Sequence, residues 1–478
     1  MSAITYLHLT TNLENIQYIK DLKIQRRINE HTYLHLIAII AEQYKDDYIK
    51  GPLREEQLIL FVQEEDKSRI IFQGMIKQIN IDVVSGVYQL RLKAISNSFK
   101  TDLKKTSRSF QDRNMTYEQM LQDIIYKYPD GDILDNAFAG KTISRLILQY
   151  QETDWVFFKR IASHANMGLL PSIMHQGPKI YCGLAAGEEI GALESYDYYI
   201  TKNIAQYLQS SRNTNPALSE PDAIEFHVET ETDYEIGDIA TFQNIRLYIK
   251  SKTAELVNGI LRFRYALSTE QGLSQDRLYN RQITGLTLQG TVLEAIRDKI
   301  KVQLEIDQAQ DPATAWEFPY TTPYTAAGNS GWYCMPEPGD TALIHFPTQE
   351  ESQGMGINSL RVQNNSGDRI DNPDIKYFRT ANGKELKFSP GEIQITCING
   401  VDPKTGEAKH TYIRLNEQSG IEIISTEPIL FRTDKGLTLE AEDTIKILAA
   451  QSISLKCKTS EIKIDDEINI CGEDVKIN

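Results

Sequence analysis

The chain is poor in the residues from which metal and cofactor sites are built. Its five cysteines (Cys182, Cys334, Cys397, Cys457, Cys471) are odd in number, scattered and without a CxxC pair, which suits reduced thiols better than a disulfide framework. The eight histidines are equally dispersed. With no HExxH and no His/Cys pair at zinc spacing, no metal site is expected. GxSxG, P-loop and GxGxxG patterns are also missing, so neither catalysis nor a bound cofactor is expected. Long apolar runs are lacking: the longest, Leu36 to Ala41, is six residues, against roughly 20 for a bilayer span. The N-terminus carries no basic segment followed by an apolar one, so the expectation is synthesis in a cytosol without a signal peptide. Positive charge is in deficit. With 66 acidic against 51 basic residues the net charge is −15, which makes nucleic acid and anionic membrane surfaces poor partners.

What remains is ordinary globular composition, 41% hydrophobic and 24% charged over 478 residues, enough for about three domains. Up to about Lys100 short apolar bursts such as Leu58–Val62, Ile70–Phe72 and Tyr88–Leu92 alternate with polar turns such as Val84-Ser85-Gly86, the pattern of antiparallel strands in a small barrel. The period then changes. Tyr117, Met120, Leu121, Ile124 and Ile125 share one helical face, with Thr116 as N-cap and Gln119 completing a capping box. A second helix is signalled at 153–162, where Trp155, Phe158, Ile161 and Ala162 share a face. The stretch 209–222 is polar with two prolines, which reads as a linker and a boundary near 210. Strand bursts return at Ile224–Val228 and Leu261–Tyr265, as in a second barrel. A third β-rich segment follows from Ile283 to about Val362, with Ile300–Ile306 alternating cleanly.

The strongest signal comes last. Apolar-x-apolar doublets stand at Ile413 and Leu415, Ile421 and Ile423, Ile429 and Phe431, Leu437 and Leu439, Ile445 and Ile447, and Ile453 and Leu455, each doublet eight residues after the one before. Each octad holds a short strand and a polar turn, the punctuation of a β-solenoid. Eight extended residues cover roughly 26 Å, so a triangular coil from one chain would have sides near 9 Å, while packed sheets need about 10 Å. Three chains, each supplying one side per layer, leave room for the side chains. The expectation is an intertwined homotrimeric β-prism with these twelve residues in its core, the alternative an eight-residue meander in a monomeric sheet.

Several lines sharpen this into a resemblance. Arg108-Ser109-Phe110-Gln111 is followed by Met115-Thr116-Tyr117 and a helix ending near Tyr128. The line from Tyr150 to Ile161 carries an aromatic, the acidic step Glu152-Thr153-Asp154, then a helix with Phe158 and Arg160. Gly237-Asp238, Gly290-Thr291-Val292, Lys301-Val302-Gln303, Trp332 and Pro338-Gly339-Asp340 come next in order. With the octads, the chain resembles the VgrG family and the related hub-and-needle spike proteins of contractile phage tails.

The resemblance implies a mainly β fold with a small α/β insertion. Its parts would be hub β-barrels at 1–105 and 209–277, the helix-containing insertion at 106–208, an OB-fold barrel at 278–375 and a triple-stranded β-helix needle at 376–478. It implies a homotrimeric central spike that adapts a sixfold tail tube to a threefold, membrane-piercing tip. Partners would be the tail tube protein, baseplate proteins, a PAAR-like tip protein and an effector cargo. The tip protein is expected on Val475, Ile477 and Asn478, where the needle lacks an obvious cap, and the particle is expected to act outside the cell on contraction. No hydrolase or toxin domain is expected after the needle. Alternatives are a trimeric receptor-binding fibre or adhesin, and a spike-borne cell-wall hydrolase.

Single residues receive plainer readings. The Trp155/Phe158 stripe is core rather than a ligand platform. Glu152 and Asp154 cap and stabilise the helix that follows rather than act as a catalytic pair. Arg160 forms an internal or inter-subunit ion pair. His227 and His345 are structural histidines. Trp316 and Trp332 are core or interface residues rather than a saccharide platform. Cys457 continues the alternation of Ile453 and Leu455 into the prism, filling an apolar slot or, with its symmetry copies, holding a soft metal ion.

Overall fold

The computed structural model describes residues 3–50, 57–64, 67–195, 197–326, 330–361, 372–401 and 408–464. The chain is mainly β and divides into two compact units, 1–362 and 363–478. Val475, Ile477, Asn478 and Cys471 lie outside the described residues.

The first unit is built on a twelve-stranded sheet that contains the same arrangement twice. In one lobe the strands Gln57–Glu64, Lys67–Val84, Val87–Ser96, Tyr33–Ile40 and Ile16–Arg27 lie side by side in that order. In the other, Ile239–Phe242, Ile245–Val257, Ile260–Ser268, Ile224–Thr230 and Tyr198–Lys202 follow the same order with the same chain connectivity. The lobes join where Ile16–Arg27 pairs with Ile245–Val257, Lys23 opposite Glu255 and Arg27 opposite Ser251. One apolar core runs beneath both, from Leu22, Leu36 and Leu92 to Phe263 and Leu267.

The polar stretch 209–222, read as a linker, is structured. It holds the end of helix Ile204–Asn213 and the start of the short 3-10 turn Glu220–Ala223, and Tyr198–Lys202 before it pairs with Ile224–Thr230 after it. Asn203 caps the helix through the Gln206 amide, and Pro221 sits inside the turn, where a missing N–H is tolerated. Proline and polarity here mark termini of elements rather than a gap between domains.

Both expected helices form. Tyr117–Ile125 carries the Thr116/Gln119 capping box and buries its apolar face. Asp154–Ser163 buries Trp155, Phe158, Ile161 and Ala162, and Phe157 as well, because a second core wraps both sides of this helix. Past it, Glu317–Pro319, Lys299–Leu304, Leu286–Ile296, Thr341–Phe346 and Met355–Leu360 form a five-stranded antiparallel sheet. A bridge between Tyr320 and Gly356 brings its first and last strands together. Its core includes Leu146 and Leu148, which precede the motif helix.

The second unit opens with a five-stranded antiparallel meander: Lys376–Arg379, Glu385–Ser389, Glu392–Val401, Ala408–Asn416 and Gly420–Ile424. Between Ile424 and Ile453 no strand forms. A hairpin, Ile453–Cys457 with Ser460–Ile464, follows.

The core expected of the octad residues is one shared by three chains, and a single chain shows only their placement without it. In the single chain Ile429 and Phe431, Leu437 and Leu439, and Ile445 and Ile447 are all exposed and belong to no strand. Phe431, Leu439 and Ile447 each stay more than half exposed, and none of the six joins an apolar core of this chain. With no strand between Ile424 and Ile453, these side chains have no sheet face to pack against in this chain.

Candidate functional site

Two features stand out: a buried charged joint around the motif line, and a long apolar surface in the second unit that none of the described residues covers.

The joint grows from the strand Ile147–Thr153 and the helix it feeds. Thr153 is the N-cap, accepting from the Val156 amide at 3.2 Å, so the acidic residues on either side do not cap. They hold arginines instead. Glu152 meets Arg160 at 2.5 Å, one helical span later, and Arg160 reaches on to Glu351 at 2.6 Å and to the Leu148 carbonyl at 2.8 Å. All three charged groups are buried. Burial pushes the Glu152 carboxyl up, against the pull of Arg160. Asp154 pairs with Arg108 and accepts from the Tyr128 hydroxyl at 2.8 Å and the Gln149 amide at 2.9 Å. Burial, then the Asp154 bond, raises the Tyr128 phenol. Tyr150 contributes its carbonyl, which accepts from Asn280 at 2.7 Å.

The same joint is sewn to the five-stranded sheet from the other side. Asp307 accepts from the Ser109 amide at 2.7 Å and the Ser109 hydroxyl at 2.5 Å. Gln111 accepts from the Trp316 amide at 2.9 Å. Of the motif residues, Glu152, Asp154, Arg160 and the Tyr150 carbonyl join this network, which couples the helical insertion to the sheet beyond it, while Phe158 lies in the second apolar core. Sequence reading missed Glu351 and Asp307, which carry no local signal, and it named Arg108 in a motif line without its partner Asp154. A comparable cluster lies between the lobes of the large sheet, where Arg26 pairs with Glu235, Lys252 with Asp233, and Arg69 with Asp233 at 2.8 Å. Despite burial, these cations hold both carboxyls below their usual range.

His227, His345 and Trp316 are packed or bonded. His227 stacks on Tyr199 and bonds Thr201 at 3.0 Å, and His345 bonds Thr287 at 3.0 Å. The Arg113 guanidinium lies 4.3 Å from the Trp316 ring, and Trp332 is more than half exposed. Cys457 is exposed in the single chain. Among the described residues no group of three or more His, Cys, Asp or Glu is placed to hold a metal ion, and no helix is long and apolar enough to cross a membrane.

The second feature follows from register. Across the meander, Phe378, Leu386, Ile395, Ile413 and Ile423 stand opposite one another in one row, and Phe388, Ile393, Leu415 and Ile421 in the next. Rows two residues apart share a face, so one side of this sheet is apolar. The other side carries the ion pairs Arg379–Glu385, Lys387–Glu392 and Arg414–Glu422. Among the described residues nothing covers the apolar side: Ile413 is 41% exposed and Ile421 72%. The exposed octad residues from Ile429 to Ile447 extend this uncovered apolar series along the chain, and Leu455 in the final hairpin is exposed too.

No family model matches the chain, and no curated protein matches it by sequence. Solved structures do. A Francisella PdpA–VgrG complex in its half-lidded form matches with a TM-score of 0.55 at 10% identity, covering 87% of this chain and 87% of that one. The lidless PdpA–VgrG complex gives 0.54 at 11% identity, covering 86% and 94%. The E. coli c3393 protein, a type VI secretion component with structural similarity to the T4 tail proteins gp27 and gp5, gives 0.52 at 10% identity, covering 74% and 99%. The chain therefore has the fold of a tail-type spike. Within that class the fold is VgrG-like, as the Tyr150–Ile161 line and the octads suggested.

Proposed function

We propose that this chain is the homotrimeric central spike of a contractile injection apparatus, with a mechanical rather than catalytic role. The uncovered apolar face of the second unit carries the reading. A sheet with one apolar and one ion-paired side is half of a sandwich, and three copies turned inward would give each sheet its missing cover. The meander would form one wall of a prism per chain. The octads from Ile421 to Leu455 would continue it by winding three chains together, drawing their exposed doublets and unladdered backbone into shared strands. Burying these residues contributes roughly 25 cal/mol per Å² of apolar surface.

In the same reading the two lobes are hub barrels, the five-stranded sheet an OB-type gate, and the buried joint the coupling that passes thrust between them. The hub would meet the tail tube and baseplate proteins. A PAAR-like tip protein, with or without an effector, would sit on Val475, Ile477 and Asn478. The spike would be made in the cytoplasm and act outside the cell when the particle contracts. Three chains together would carry −45, three times the single-chain −15, which suits a soluble particle component. Electron microscopy of the purified chain tests this: a threefold hub bearing a thin spike is expected, and isolated globular monomers would contradict it.

A further inference from the structure

Where the two lobes of the large sheet join, charges on the exposed side are complementary: Lys23 stands opposite Glu255, 3.6 Å away. The buried side breaks that rule. Arg26 stands opposite Lys252, two cations on one face at 5% and 7% exposure, with Ile24 and Ala254 as the buried pair next to them on that face. Like charges directly across a ladder destabilise it, so the pair needs counter-charges close by.

The segment that follows strand Ile224–Thr230 supplies two. Glu235 takes Arg26 and Asp233 takes Lys252, with Lys252 reaching Glu235 as well at 3.2 Å. A third cation then joins, Arg69 donating to Asp233 at 2.8 Å. Burial opposes ionisation of both carboxyls, but the cations beside them outweigh it and hold both below their usual range, so both are charged. Three cations against two carboxylates leave one positive charge over, and among the described residues no further carboxylate meets the group.

A cavity of about 30 Å³ adjoins the cluster, walled by all five charged groups and otherwise by apolar side chains such as Phe263 and Ile173. Arg26 carries the decisive detail. Its Nε–H is buried and finds no acceptor among the described residues, while the one spare carboxylate atom of the cluster, Asp233 Oδ1, is turned to the Lys252 ammonium. A water in the cavity would satisfy the Arg26 hydrogen bond and leave the surplus charge where it is. A small anion answers both.

We infer that this cavity binds one chloride-sized monovalent anion, accepting from the Arg26 Nε–H with Lys252 and Arg69 beside it. The volume admits a single small ion and excludes phosphate, sulfate and organic carboxylates. Arg69 and Glu235 reach the surface, which gives the ion a way in from solvent. Bound there, it completes the buried side of the junction and ties strand Ile16–Arg27 to strand Ile245–Val257 through their opposed cations. The site lies wholly within the first unit and holds whether the chain is single or trimeric.

Thermal unfolding of the full chain at constant ionic strength tests the site, with sodium chloride exchanged stepwise for sodium gluconate, whose anion is too large for the cavity. Chloride is expected to raise the midpoint and to saturate, as a bound ligand does, and bromide to replace it. Arg69→Gln removes the surplus charge while Lys252 still holds Asp233, and should lose the chloride response. Arg246→Gln breaks only the exposed pair with Glu189 and should keep it. A crystal of the unmodified protein grown in bromide gives the direct reading, an anomalous peak beside Arg26. A midpoint indifferent to the exchange, an equal response in both variants, or an ordered water without anomalous signal in the cavity overturns the site.

Discussion

Arg160 and Glu351 stand 191 positions apart in the sequence and meet at 2.6 Å, both buried. Their contact, with Glu152 on the other side of the guanidinium, ties the helical insertion to the sheet that follows. It joins the core of the insertion to that of the five-stranded sheet.

Removing the cation should be severe. Arg160→Met would leave Glu152 and Glu351 buried without a counter-charge, a loss of about 3–5 kcal/mol. Glu351→Gln keeps the shape and an acceptor and should cost less. Denaturant unfolding followed by tryptophan fluorescence, with Trp155 in the same helix, checks the order; equal stability of all three proteins would contradict the assigned role.

Acid should loosen the same helix from its other flank. His31 is stacked on Trp155 with centroids 4.1 Å apart and bonded to Ser98 at 2.7 Å. Burial lowers its pKa from 6.5 to about 4, Asp102 opposing only in part. Because the folded value lies below the unfolded one, His31 contributes its full stability above pH 6.5. That contribution falls away as the pH drops toward 4, by about 3 kcal/mol. His164, lowered by burial to about 3, extends the loss further down. Denaturation midpoints between pH 7 and 4 should show this slope, and His31→Gln should flatten it.

The apolar face of the second unit should control assembly. Ile395→Lys with Leu415→Lys places two charges on the uncovered side and is expected to shift sedimentation from three chains toward one. Tyr412→Ser on the ion-paired side should leave the distribution unchanged. If both variants behave alike, the face is not the trimer contact.

The extreme C-terminal residues should matter only for the tip. Deleting 468–478 is expected to abolish capture of a PAAR-like protein in a pull-down while leaving the mass of the spike intact. Undiminished capture would place the tip contact elsewhere.

Much of this was written in local pattern. The Thr116/Gln119 box, the buried stripe of Asp154–Ser163 and the eight-residue period each depend on neighbours within a turn or a strand, and periodicity reports such neighbours directly. Burial is a different matter for the octads: the period marks Phe431, Leu439 and Ile447 as core residues, yet in the single chain all three are exposed. Glu351 could not be found by pattern, since nothing near it differs from a surface glutamate until the fold brings Arg160 against it. The duplicated lobes were hidden for another reason. Equivalent core positions hold Leu92 in one lobe and Tyr265 in the other, and only the turns Ser85-Gly86 and Asn258-Gly259 and the histidines His35 and His227 mark the correspondence. Sheet register is kept by hydrogen bonds that every residue makes, so it outlasts the side chains that first specified it. The linker reading of 209–222 failed because proline and polar residues serve helix ends and tight turns as well as gaps.

The most direct test of the central claim is the absolute mass of the full chain in solution, by light scattering after size exclusion. A value near three times 54.5 kDa, lost when residues 376–478 are removed or retained only with markedly lower stability, is the predicted result. A stable monomer of 54.5 kDa would leave the apolar rows and octads without a partner and contradict the spike.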